Sequence, residues 1–159
     1  PLAYIAGRDG FDAFPRFPAP VPAHRICMFG IRSVDPAEQA AMLERDIAIN
    51  DMRVIDERGL VAPLREFLDR VRAESGMLHV SLDVDFLDPS IAPGTGTPSH
   101  GGFLYYEVLE LIDGLTKQGN IIGIDLVEVA PDYDHSGTTT ILAAQILLNT
   151  IGRIAHNRG

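Results

Sequence analysis

Short apolar segments alternate with longer amphipathic segments along most of the chain, and this alternation limits the possible folds most strongly. The strand candidates are residues 25–31, 52–55, 77–82 and 121–129, and the helix candidates are residues 37–47, 60–72, 103–115 and 138–155. Repeated strand and helix units predict an α/β fold, a three-layer αβα arrangement with a mainly parallel sheet covered by helices on both faces. In such sheets, ligands bind beyond the carboxyl ends of the strands.

The chain is long enough for a single domain, and we expect residues 1–159 to belong to one. Residues 1–23 contain five prolines, which predict an ordered loop or a short helix followed by extended chain. Residues 141–154 are the most apolar run, but polar residues interrupt it, so we predict no membrane span. Neither an internal repeat nor a low-complexity tract is visible.

Charge and cysteine content narrow the classes of function. A formal net charge of -9 argues against a nucleic-acid partner, because such a protein needs a basic surface to neutralise phosphates. This charge suits a small cationic ligand, although an acidic surface that only maintains solubility would look the same. Cys27 is the only cysteine, which rules out an intrachain disulfide or a zinc site of several thiolates and predicts a cytoplasmic protein.

Three carboxylates follow an apolar strand in residues 81–89, Ser-Leu-Asp-Val-Asp-Phe-Leu-Asp-Pro. Residues two apart on a strand share a face, so we expect the side chains of Asp83 and Asp85 to point the same way. Two adjacent carboxylates repel each other unless a proton or a cation lies between them. Oxygen ligands of this kind suit manganese, magnesium or calcium. The alternative is that these aspartates cap the next turn, for which Asp88 before Pro89 is well suited.

Two later segments add candidate residues. Residues 92–102, Ala-Pro-Gly-Thr-Gly-Thr-Pro-Ser-His-Gly-Gly, predict a loop of fixed shape that either lines a pocket or simply connects two elements. Glu128 lies near the carboxyl end of an apolar strand, where it could meet a cationic ligand, whereas Asp125 lies deeper and is expected to have a structural partner. His100 and His135 are weaker candidates to approach the same site.

Several of these segments together resemble the C-terminal signature of the ureohydrolases, the arginase and agmatinase family. The segments that carry the resemblance are residues 30–35, 81–89, 92–98, 101–102 and 127–131. Residues 1–3 also resemble the tail of the family's His-Gly-Met-Pro-Leu-Ala sequence. The family's upstream Gly-Gly-Asp-His and Asp-Ala-His-x-Asp motifs have no counterpart here. The resemblance is therefore to the C-terminal half of such an enzyme.

The resemblance implies a two-manganese cluster that activates water to release urea from a small cationic guanidino substrate. By the same resemblance, Asp83 and Asp85 are catalytic metal ligands, and Glu128 holds the substrate guanidinium. Thr97 lines that pocket, and Asp35 contacts the substrate's amino group. The family also implies a homo-oligomer, a trimer or a hexamer.

The substrate remains open between relatives. Residues 32–36 favour arginase and so the hydrolysis of arginine to ornithine, which we take as the first prediction. Residues 127–135 look more like an agmatinase, so an agmatinase or a guanidino-acid hydrolase is the alternative within the enzyme class. A metal-free, non-catalytic domain derived from a ureohydrolase is the alternative outside it. We expect these 159 residues alone to be inactive, because half of the cluster's ligands are missing.

Overall fold

A computed structural model describes residues 2–158, so Pro1 and Gly159, including the first residue of the 1–3 resemblance, lie outside the described residues. The α-helices are α1 (Leu2–Ile5), α2 (Pro36–Leu43), α3 (Met52–Arg58), α4 (Val61–Ala73), α5 (Tyr105–Gln118) and α6 (Thr138–Arg158). The strands are β1 (Cys27–Ile31), β2 (Ala48–Asp51), β3 (Leu78–Asp83) and β4 (Ile121–Val127), and the single-turn 3-10 helices are Ala23–Arg25 and Val84–Phe86.

The strands form two parallel pairs. β1 pairs with β2, with Cys27 opposite Ala48. β3 pairs with β4. The strands predicted within residues 25–31, 77–82 and 121–129 are therefore confirmed, although Arg25 lies in a 3-10 helix and β4 ends at Val127. The parallel pairing is confirmed as well, because the connections between paired strands contain helices.

One predicted strand is wrong. Residues 52–55 begin α3, and the strand of this unit is β2, which ends just before them. The Asp51 Oδ1 atom accepts the Val54 N–H at 2.9 Å and so caps the helix. The preceding helix α2 also ends earlier than predicted, at Leu43, and Asp46 adopts a left-handed φ of 59° in the turn that follows. The shortened helix leaves room for β2.

Two adjoining clusters of buried side chains form the core. The first surrounds Phe103, which is fully buried and lies 6.2 Å from the Phe29 ring and 5.6 Å from the Phe86 ring between centroids. It also takes in residues of β3, α5 and α6. The second joins α4 and α5 to β3 and β4 through Leu64, Phe67, Leu68, Leu78, Leu111 and Ile121. These helices thus cover one face of the β3–β4 pair.

The opposite face of the β3–β4 pair is open in the described chain and carries polar side chains beside the exposed Val127. The side chains of His79 and Asp125 on this face are 59% and 44% exposed. Among residues 2–158, every helix is too short or too polar to traverse a lipid bilayer.

Candidate functional site

The carboxyl ends of β3 and β4 bring two acidic residues together. Asp83 ends β3 and pairs in register with Val127, the last residue of β4. Glu128 follows directly, with a left-handed φ of 66° that few non-glycine residues adopt. Its charge contributes to raising the pKa of Asp83. The parallel register therefore places the acid after β4 beside the acid that ends β3.

Asp83 and Asp85 are close, but not for the reason that the sequence suggested. β3 ends at Asp83, and residues Val84–Phe86 form a 3-10 turn, so the prediction that the two side chains share a strand face is wrong. Instead, Asp83 Oδ1 accepts the Asp85 N–H at 3.1 Å, which folds Asp85 back toward Asp83. The capping interpretation is confirmed for Asp83, and the two carboxyl groups still lie side by side.

The electrostatics of this pair fit a cation. Burial, with the negative charges of Asp85 and Glu128 added, raises the pKa of Asp83 to about 6 even though the Asp85 N–H lowers it. A divalent cation would remove this unfavourable repulsion, and carboxylate oxygens suit a hard ion such as manganese. Within residues 2–158, however, no group of three or more His, Cys, Asp or Glu side chains is arranged to hold a metal ion. The pair can supply part of a ligand set.

The small-residue loop lies against the segment that carries Glu128. Gly94 accepts the Ala130 N–H at 2.9 Å, and Thr95 forms an antiparallel bridge with Val129. A few residues later, Thr97 Oγ1 donates to Asp85 Oδ2 at 2.8 Å. The predicted loop therefore has defined contacts at the site, and it brings the hydroxyl of Thr97 onto one oxygen of Asp85.

Asp88 anchors the other end of this loop. Its Oδ2 atom accepts the N–H groups of Gly101 at 2.8 Å and Gly102 at 3.2 Å. Its Oδ1 atom accepts the Ser90 N–H at 2.9 Å. The hydrogen bonds from Ser90, followed by those from the two glycines, hold the pKa of Asp88 well below its usual range. Asp88 is thus the turn-capping residue that the sequence predicted.

The remaining predicted residues make no side-chain hydrogen bond to this group in the described part of the chain. Asp35 caps α2, where its Oδ1 atom accepts the N–H groups of Ala37 at 2.8 Å and Glu38 at 2.9 Å. In this structure Asp35 is therefore the N-cap of α2, and its contact with the substrate's amino group stays a prediction. His100 and His135 are both exposed, and neither completes a three-ligand metal group in the described part of the chain.

Asp125 has the structural partners expected of an acid inside a strand. His79 Nε2 lies 2.7 Å from its Oδ2 atom, and Ser81 Oγ donates to its Oδ1 atom at 2.5 Å. The hydrogen bond from Ser81 lowers the pKa of Asp125, and the hydrogen bond with His79 lowers it further. Asp125 therefore bridges β3 and β4 below the candidate site.

Sequence reasoning missed Arg32, which joins the β1 end to the site. Its guanidinium donates to the backbone carbonyls of Asp85, Phe86 and Ser99, and to that of Gly30 in its own segment. The ends of β1 and β3 therefore meet at one edge, and the segment that leads to Asp35 starts there. The only signal in the sequence was that Arg32 follows an apolar strand and belongs to residues 30–35, one of the segments that resemble the family.

Comparisons with known proteins identify the family and the fold of the chain. The sequence model of the arginase family matches residues 14–152. An arginase of Brucella melitensis is 46% identical over 159 residues, which cover 99% of this chain and 52% of that protein. The crystal structure of the Bacillus subtilis arginase superposes with a TM-score of 0.86 at 31% identity, covering 96% of this chain and 53% of that one.

A second solved structure broadens the comparison. Formimidoylglutamase from Bacillus subtilis gives a TM-score of 0.79 at 32% identity, covering 84% of this chain and 43% of that one. The predicted αβα fold and the predicted resemblance are both confirmed by these matches. The chain spans about half the length of the relatives that it matches.

Proposed function

The chain belongs to the arginase family, and on that premise we propose that residues 1–159 form the C-terminal portion of a single ureohydrolase domain. The complete domain hydrolyses a guanidino substrate to urea with manganese, and its substrate is arginine. The observation that carries this proposal is the meeting of Asp83, Asp85, Thr97 and Glu128 at the carboxyl ends of β3 and β4. Relatives named arginase at 46% identity support the choice of substrate.

Asp83 and Asp85 would hold the metal. Bound divalent ions supply a nucleophile near neutral pH by lowering the pKa of water. Thr97 donates to Asp85 Oδ2, which fixes the rotation of that carboxylate and leaves its Oδ1 atom for a cation. The turn that follows β3 fixes Asp83 in the same way, through the Asp85 N–H. The chain's own contribution is therefore a pair of carboxylates held in position before the ion arrives.

Glu128 would orient the substrate. A guanidinium presents paired N–H donors to a carboxylate, and such charge-assisted bonds are shorter and stronger than neutral ones. Glu128 is exposed at the strand end and adjacent to Asp83, so a guanidinium bound there would place its central carbon beside the metal ligands. Hydrolysis adds water to that carbon and breaks its bond to the alkyl nitrogen, which leaves as an amine with the transferred proton.

Asp35 would provide the second anchor. Its carboxylate lies beyond the end of β1, and Arg32 ties that end to the Asp85 turn. A substrate held at Glu128 by its guanidinium would extend along this edge and present its amino group to Asp35. Guanidinobutyrate lacks that amino group, so this contact favours arginine or agmatine over it.

An agmatinase or guanidino-acid hydrolase is the second candidate, because residues 127–135 look more like an agmatinase. The third is a domain without catalysis. Urea release by the complete protein with manganese, measured against arginine, agmatine and guanidinobutyrate, distinguishes them. Activity with arginine supports the proposal, a preference for another substrate selects the second candidate, and no urea from any substrate selects the third.

Two further properties belong to the same proposal. A trimeric or hexameric assembly is expected from the family resemblance and is tested by light scattering of the complete protein. A cytoplasmic location is expected from the single cysteine, Cys27, and is tested by cell fractionation.

A further inference from the structure

We propose that Arg32 is a positioning residue for the candidate metal site, because its guanidinium holds the Asp85 turn, the Thr97 loop and the β1 end in one fixed arrangement. The inference rests on the proposed function, and it concerns a residue that touches neither substrate nor metal. One side chain would thus link the turn that carries Asp85 to the loop that carries Thr97 and Ser99.

The backbone directs Arg32 toward the site. A β-bulge interrupts the pairing of β1 with β2 between Phe29 and Ile31. The bulge residue is Gly30, with a φ of 76°, and a Cβ atom there would lie 2.4 Å from the Phe103 ring. Bulges change the direction of the strand that follows them. Only glycine fits at this position, and the change of direction brings Arg32 to the turn after β3.

The contacts of Arg32 are unusual for an arginine. One terminal nitrogen donates to the Gly30 and Phe86 carbonyls, each at 3.1 Å, and the other donates to the Asp85 carbonyl and, at 3.1 Å, to that of Ser99. Among the described residues, its Nε atom is buried without a hydrogen-bond partner. No carboxylate pairs with it there, although partly buried charges are usually paired. The guanidinium therefore serves backbone carbonyls rather than an opposite charge.

These carbonyls belong to the segments that carry the candidate site. Asp85 and Phe86 lie in the turn that orients the Asp85 carboxylate, and Ser99 lies two residues after Thr97. Thr97 in turn donates to Asp85 Oδ2 at 2.8 Å. A planar fork with donors in fixed directions can hold these carbonyls at once, whereas the single ammonium of a lysine cannot reproduce that geometry. Loss of the fork would leave the turn and the loop joined by the Thr97 hydrogen bond but no longer tied to the β1 end.

The test uses the complete protein and the variants Arg32→Lys and Arg32→Met, with Arg72→Lys as the matched control. Arg72 also donates to a backbone carbonyl, that of Gln118 at 2.9 Å, but it lies on α4 at the other end of β3. Each protein is assayed for manganese affinity by competition with a fluorescent chelator, for metal-free melting temperature, and for kcat and KM.

We expect the metal-free Arg32→Lys variant to unfold cooperatively and to bind manganese about 10 to 100 times more weakly, the range typical of residues that orient metal ligands. Arg32→Met should be weaker still, and Arg72→Lys should match the wild type. Wild-type manganese affinity in both Arg32 variants would overturn the inference. So would failure of both to fold, because Arg32 would then support the whole chain. If the wild type itself binds no manganese and releases no urea, the proposed function fails first.

Discussion

Replacing Asp83 with asparagine should stabilise the metal-free protein at pH 7. Burial, together with the charges of Asp85 and Glu128, raises the pKa of Asp83 from 3.8 to about 6. Asparagine removes the charge, yet its amide oxygen can still accept the Asp85 N–H that Asp83 Oδ1 accepts at 3.1 Å. The substitution therefore relieves repulsion without removing the cap of the turn.

The size of the effect follows from the pKa. A shift of this size would change the free energy of unfolding by roughly 3 kcal/mol, since a pKa difference of one corresponds to about 1.4 kcal/mol. Asp83 is partly exposed, so solvent screening reduces the expected gain to about 1 kcal/mol. For a domain of this length, that gain raises the melting temperature by about 2–4 °C.

The direction of the Asp83 pKa shift also predicts how the stability of the fold depends on pH. Folded Asp83 keeps its proton to a higher pH than unfolded Asp83 does, so the stability that it contributes is complete below about pH 4 and is lost as the pH rises through about 6. Thermal unfolding of the metal-free protein, followed by circular dichroism across this range, should show the decline in the wild type. The Asp83→Asn variant should lack that component of the decline.

Asp88→Asn is the matched control with the opposite sign. Hydrogen bonds from Ser90, Gly101 and Gly102 lower the pKa of Asp88, so loss of its charge should reduce stability at pH 7. Added manganese should stabilise the wild type more than Asp83→Asn, because the variant loses a ligand. A lower melting temperature for metal-free Asp83→Asn at pH 7 would refute the reasoning, because it would mean that the Asp83 carboxylate stabilises the metal-free fold.

Three further substitutions or tests check the rest of the site. Glu128→Gln should reduce kcat/KM by about 100-fold or more, because the loss of a hydrogen-bonded charge pair costs about 3 kcal/mol or more. The metal content should not change. Unchanged turnover would show that Glu128 does not bind the substrate. Asp35→Asn should keep the cap of α2 and the melting temperature, since asparagine caps about as well as aspartate, but the loss of charge should raise KM. If the kinetics are unchanged, capping α2 is the only role of Asp35. The 159 residues by themselves should release no urea even with excess manganese, and robust turnover by a chain of verified mass would contradict this.

The strands that carry the site were predictable because their signals are local. β1, β3 and β4 each coincide with an apolar run, and the parallel pairing follows from the helices between them. β2 was misplaced because Met52 to Ile55 is as apolar as a strand, while the deciding feature is the capping of α3 by Asp51. A short apolar run does not distinguish a strand from the first turns of a helix.

The contacts within the site were less predictable. The proximity of Asp83 and Asp85 was expected from strand alternation, yet it arises from a 3-10 turn whose geometry depends on the capping bond. Thr97 and Asp85 are twelve positions apart, and their contact was not predicted. The resemblance implied only that Thr97 lines the pocket. Arg32 was missed because its partners are backbone carbonyls, and every residue carries one.

The central claim is that this chain contributes two metal ligands and a guanidinium-binding acid to a ureohydrolase. The most direct test is urea release from arginine by the complete protein with manganese, comparing the wild type with Asp85→Asn and Glu128→Gln. We predict manganese-dependent urea release from the wild type, loss of both bound manganese and turnover in Asp85→Asn, and loss of turnover with retained manganese in Glu128→Gln. Full manganese occupancy and undiminished urea release in both variants would contradict it.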